Sequence, residues 1–171
     1  MQDTWARTGF ADATDLLITR HDLHINRTTV KDLTHSHRWI KSLVQSLDEN
    51  VDEETRAKIL ERCGRNCIGQ SMIAKARKIK KNSKDLDEFL VKLSKNWKHL
   101  KLDGKKIYVE YEKCYCPLVR DYPEKLSATF CNCSRGWLKE LFESALEKPV
   151  EVKLEKSIKR GDEICRFRVL L

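Results

Sequence analysis

Apolar residues change their spacing near Leu100, and this switch divides the chain into a part that must be helical and a part that must build a sheet. Before it, apolar positions recur every three or four residues, the period of an amphipathic helix. Trp39, Ile40, Leu43, Val44 and Leu47 form one such stripe, in a helix that starts near Ser36 and stops near Asn50. Asp52 is placed to cap a second helix, with Glu53 and Glu54 complementing the positive end of its dipole. Its apolar face runs through Ile59, Leu60, Cys63, Cys67, Ile68, Met72 and Ala76, which predicts one helix continuing to about Lys80. Ser83 then offers a cap for a third stripe made of Leu86, Phe89, Leu90, Leu93 and Trp97.

Beyond Leu100 the period becomes two. Ile107, Val109 and Tyr111 alternate with polar residues after Asp103-Gly104, a strong hairpin signal. A helix follows, capped by Ser134 and carrying Trp137, Leu138, Leu141, Phe142 and Ala145 on its inner face. Val150, Val152 and Leu154, then Cys165, Phe167 and Val169, alternate on either side of Gly161-Asp162 and predict a second hairpin. The expected fold is α+β: a helical N-terminal half packed on an antiparallel four-stranded sheet made of two hairpins with a helix between them. Residues 1–35 read as an N-terminal extension and 36–171 as the domain. Their His21, His24, His35 and His37 read as solvated side chains.

A chain of 171 residues can bury about two thirds of its unfolded surface, so it needs no disulfides to fold. The opening residues carry neither a leader-like apolar run nor a membrane span, which points to the cytoplasm and against membrane insertion. In a reducing compartment seven cysteines suggest metal ligation or thiol chemistry rather than a disulfide framework. Six of them come in pairs. Cys63 and Cys67 share a helix face at i, i+4, while Cys114 with Cys116 and Cys131 with Cys133 sit at i, i+2 in an irregular stretch. These six are the candidate metal ligands. Soft sulfur donors suit zinc first and an iron–sulfur cluster second, although no pair has the CxxC spacing of a zinc ribbon. Two other readings stand beside this one. Cys63 and Cys67 could be small core residues, and Cys131 and Cys133, at a helix start near Arg135, could be thiolates with a lowered pKa.

The net charge of +8 is concentrated in Ala74–Lys106, where twelve Lys and Arg face four acidic residues. These lysines are spread around helices and a hairpin with no aromatic stacking ladder, which argues for a solvated face and against specific nucleic-acid binding.

The segment CNCSRGWLKELFESALEKPVEVKLEKSIKRGDEICRFRVLL resembles the C-terminal signature of 4-vinyl reductase-like domains: a Cys, an aromatic-containing helix, a basic-Pro-aliphatic strand start, and a Gly-Asp turn leading to Cys-Arg-Phe. Over Trp39 to Leu171, the CGRNC helix and the CYC and CNC pairs are similar to a cysteine-rich bacterial branch of that family. The resemblance implies a small-molecule-binding domain, related in fold to sensors of aromatic compounds and to acyl-chain-holding tethering subunits, and it implies a homodimer. It also matches Cys131 and Cys165 to two zinc-ligating cysteines of the aromatic-sensor branch; the other two ligand positions fall on Leu154 and Ser157.

The functional expectation is a binding, sensory domain for a small apolar or aromatic molecule. Its pocket is lined by Tyr115, Phe130, Trp137 and Leu141, beside a cysteine-based metal or reactive-thiol site. The alternative is a cysteine- or zinc-dependent enzyme acting on a small thiol-related or heterocyclic substrate. No sequence feature supplies its general base.

Overall fold

The computed structural model describes residues 35–122 and 124–171. The expectations placed on residues 1–34, including His21 and His24, lie outside the described residues.

Helix α1 (His35–Asn50) buries Ile40 and Val44, whereas Trp39 is 60 % exposed and Leu43 39 %. The expected five-residue stripe is thus only half used. The reason is what α1 packs on: among the described residues Ile40 and Val44 join Val119, Tyr122, Leu126 and Phe130 in a small cluster that does not include Trp39 or Leu43.

Asp52 caps α2 (Glu53–Cys67) as expected, its carboxylate accepting from the Thr55 N–H at 2.9 Å. The single long helix of the sequence reading is in fact two. Ile68 takes an extended conformation and Gly69 leads into α3 (Gln70–Lys81). Turning the chain there sinks Ile68 into the main core, at 5 % exposure, and lets both helices lie on the same later helix. Periodicity alone could not show this, because an apolar residue at a break keeps the stripe intact. The cap of α4 (Leu86–Asn96) also differs. Asp85 accepts from the Glu88 N–H at 2.8 Å while Ser83 donates its hydroxyl to the Ile79 carbonyl. A carboxylate at that position also complements the helix dipole, which a hydroxyl cannot do.

Strands β1 (Leu100–Asp103), β2 (Lys106–Tyr111), β3 (Glu151–Lys156) and β4 (Cys165–Leu170) form one antiparallel sheet in the order β1-β2-β4-β3. The two hairpins are therefore present and are joined by pairing β2 to β4, with Val109 opposite Phe167. Gly104 turns the first hairpin at φ +56, a conformation that favours glycine. Ile107, Val109, Val152, Cys165, Phe167 and Val169 face inward. Against them pack Leu138, Leu141 and Phe142 of α5 (Asn132–Leu146), all fully buried. Helices α2 and α3 cover the far side of α5, so the helices form a layer on one face of the sheet.

The contact between α2 and α5 is made backbone to backbone. A Cβ at Gly64 would lie 1.7 Å from the Cys133 carbonyl oxygen, and one at Gly136 would lie 1.9 Å from that of Glu61. Arg65 extends the contact by pairing with Glu140 and Glu143 at 3.0 and 2.6 Å. This crossing fixes where the C-terminal end of α2 stands relative to the first turn of α5.

Candidate functional site

The first turn of α5 begins three residues earlier than the Ser134 cap predicts. A 3₁₀ turn over Ala128–Cys131 runs into the helix, making Cys131 the N-cap residue and placing Cys133 inside the first turn. Between β2 and this turn the chain has no regular strand, and three buried side chains, Val119, Tyr122 and Leu126, hold it down. A hydrogen bond from the Leu126 N–H to the Lys159 carbonyl, 2.9 Å, ties it to the connection between β3 and β4.

Under this segment lies a cavity of about 330 Å³. Trp97, Tyr111, Tyr115, Phe130, Trp137 and Phe167 supply its aromatic wall. The Trp97 and Trp137 rings are 5.8 Å apart, and His99 stacks between Tyr111 and Tyr115 at 4.7 and 5.0 Å. Its Nδ1 lies 3.0 Å from the Glu110 carbonyl. A carbonyl only accepts, so Nδ1 carries the hydrogen of this contact.

Six of the seven cysteines line this same cavity: Cys67, Cys114, Cys116, Cys131, Cys133 and Cys165. They arrive from four places in the chain, namely the end of α2, the loop, the start of α5 and the start of β4. Cys131 Sγ lies 3.0 Å from the hydroxyl of fully buried Ser157, and Cys165 Sγ accepts from the Ile158 N–H at 3.4 Å. Burial pushes the Cys131 thiol up to about 11 and the Cys133 thiol up to about 12; Cys116 and Cys165 are raised for the same reason. The lowered pKa expected of Cys131 and Cys133 is thereby corrected. Loss of hydration outweighs proximity to a helix start, and both are neutral thiols near pH 7.

Of the sequence candidates, Tyr115, Phe130 and Trp137 line the cavity together with five of the six paired cysteines. Cys63 does not: it is exposed on α2, as is Cys67, so neither is a core residue. The buried positions of that helix are Leu60 and Gly64 instead. Leu141 is absent from the wall as well, being fully buried between α5 and the sheet. Trp97, His99, Tyr111 and Lys159 also line the cavity, and no local pattern around them marks this. Lys159 in particular reads as an ordinary charged turn residue.

Among the described residues, no group of three or more His, Cys, Asp and Glu stands in a metal-holding arrangement. The aromatic-sensor type of zinc site does not fit this chain. Leu154 offers no donor, and Ser157 presents a hydroxyl, hydrogen-bonded to Cys131, where a thiolate would be needed. No described helix is long and apolar enough to cross a membrane.

Residues 16–171 match a family described as a family of unknown function, DUF6144. The chain belongs to this family. The match does not name the 4-vinyl reductase-like family of the resemblance. No curated protein matches the chain. Among solved structures it is similar to the phenol-responsive sensory domain of the transcription activator PoxR with phenol. That likeness has 13 % identity and a TM-score of 0.42, over 80 % of this chain and 74 % of that one. At that level no function passes from one chain to the other.

Proposed function

We propose that residues 35–171 form a small-molecule-binding domain of the sensory kind, whose ligand is an apolar or aromatic compound held in the cavity beneath the cysteine-rich segment. The observation that carries this reading is the cavity itself. Its volume of about 330 Å³ falls at the lower end of the range of roughly 300 to 1,000 Å³ usual for small-molecule sites, and six aromatic rings face into it with only a few polar groups between them. Neutral, buried thiols favour binding over nucleophilic catalysis, because the thiolate is the attacking species.

Trp97 and Trp137 report on occupancy directly. Titrating purified protein with phenol, indole and naphthalene should quench or shift tryptophan emission saturably and raise the melting temperature for at least one of them. If no compound of an aromatic panel does either, the reading fails.

The finer part of the proposal concerns the thiols. Cys114, Cys116, Cys131 and Cys133 share one cavity, which keeps a cysteine-held zinc ion, or less favourably an iron–sulfur cluster, as the group to test for. A bound ion would require side-chain rearrangement and thiol deprotonation. Elemental analysis of freshly purified protein, read beside its visible spectrum, decides the point, since zinc is colourless and iron–sulfur clusters are brown. Light scattering on the same sample tests the homodimer.

A further inference from the structure

The charge of the pocket is one-sided. Among the described residues two lysines, Lys113 and Lys159, line it and no aspartate or glutamate does, the exposed Glu112 accepting from the Tyr115 hydroxyl at 2.7 Å from outside the wall. Lys113 is exposed at the rim, with its ammonium 5.3 Å from the centre of the Tyr115 ring. Lys159 is different, because it is only 7 % exposed, and lysines that deep are almost always paired with a carboxylate. Its ammonium donates to the Tyr122 carbonyl at 2.7 Å and lies 5.8 Å from the centre of that residue's ring. Both partners are neutral. The nearest acidic residue in sequence, Asp162, is committed elsewhere, accepting from the Ser157 N–H at 2.7 Å and pairing with Arg160 at 3.3 Å. Among the described residues Lys159 makes no ion pair: its side chain lines the apolar cavity, and its ammonium has one hydrogen-bond acceptor, the Tyr122 carbonyl.

We propose that the pocket selects a ligand with an anionic end, an aromatic carboxylate being the simplest class, and that Lys159 is the residue that meets the anion. This rests on the pocket reading above and adds to it the sign of the ligand's charge. The aromatic wall takes the apolar body of the molecule, and the ammonium compensates the carboxylate through a charge-assisted hydrogen bond.

The test uses two probes of nearly the same shape, 2-naphthoate and the neutral 2-acetylnaphthalene, titrated calorimetrically into the full chain and into Lys159→Met and Lys113→Met. Wild type should bind 2-naphthoate about tenfold more tightly or better, the expected scale of one hydrogen bond between charged groups. Lys159→Met should abolish that preference by weakening 2-naphthoate alone, while Lys113→Met should largely keep it. If neither probe binds wild type, the pocket reading fails and this inference with it. If 2-acetylnaphthalene binds wild type as tightly as 2-naphthoate, the pocket stands and the inference is overturned, whether or not the variants fold. A preference removed by Lys113→Met but kept in Lys159→Met would also overturn it, by placing the anion at the rim.

Discussion

Cys131 keeps its proton in the folded chain because burial disfavours the thiolate more than the Ser157 hydrogen bond favours it, and this raises its pKa to about 11 from the ordinary 9.0. The unfolded chain releases that proton at lower pH. Between about pH 9 and 11 the unfolded state therefore binds fewer protons than the folded one, and stability falls as pH rises through this window. Cys131→Ala should make the alkaline loss of stability shallower than in wild type, as measured by urea midpoints at pH 8 and pH 10.5. Labelling should separate the cysteines in a related way. Cys63 and Cys67 are exposed, so a disulfide reagent at pH 8 should modify them well before Cys131 and Cys165, and Cys63→Ser with Cys67→Ser should remove the fast phase. Cys165→Ala tests packing instead. With an inward side chain between β4 and its neighbours, it should cost roughly 1 to 2 kcal/mol in denaturant unfolding. At this scale the sequence was informative about residue type but misleading about reactivity. The spacing of Cys131 and Cys133 showed a helix start, while their burial depends on Phe130, Trp137 and the overlying segment, which no local pattern encodes.

Where α2 meets α5, a single side chain decides whether the helices can touch. Gly64→Ala would drive a methyl group into the Cys133 carbonyl, a backbone atom that cannot swing aside. It should destabilise by roughly 3 kcal/mol, at the upper end of overpacking costs, and the displaced first turn of α5 should weaken ligand binding as well. Gly69→Ala is the control. A Cβ there would come no nearer than 3.8 Å to the Ser71 hydroxyl and its φ of −71 suits any residue, so the urea midpoint should move by no more than about 0.5 kcal/mol equivalent. Both glycines read alike in the sequence, yet one is a contact and the other a hinge between elements. Strands were more legible than helix boundaries. Alternation in β2, β3 and β4 reports directly on which face is buried, whereas the break at Ile68 lets α2 and α3 both pack on α5, an element more than sixty residues away.

Whole-molecule properties split the same way between composition and topology. The pocket was legible only as a set of chemical types, because its walls come from the ends of α2 and α4, from β2 and the loop after it, from β4, from α5 and from the β3–β4 connection, which the fold alone brings together. The basic segment, by contrast, is a property of composition, and the structure spreads it over α3, α4 and the first hairpin rather than gathering it on one recognition element. Several of its cations are already engaged. Lys92 pairs with Glu88 at 2.8 Å, Lys98 pairs with Glu112 at 3.0 Å, and Arg77 donates to the Ser144 carbonyl. Exposed pairs of this kind are weak and screened by salt, so a net charge of +8 still attracts polyanions at low ionic strength. Duplex DNA should accordingly be retained at about 0.02 M salt and released by about 0.15 M, with no preference between unrelated sequences, as read by fluorescence anisotropy. Sequence-selective binding that persists at the higher salt would require side chains presented together to base edges, and would contradict the scattered placement of these lysines.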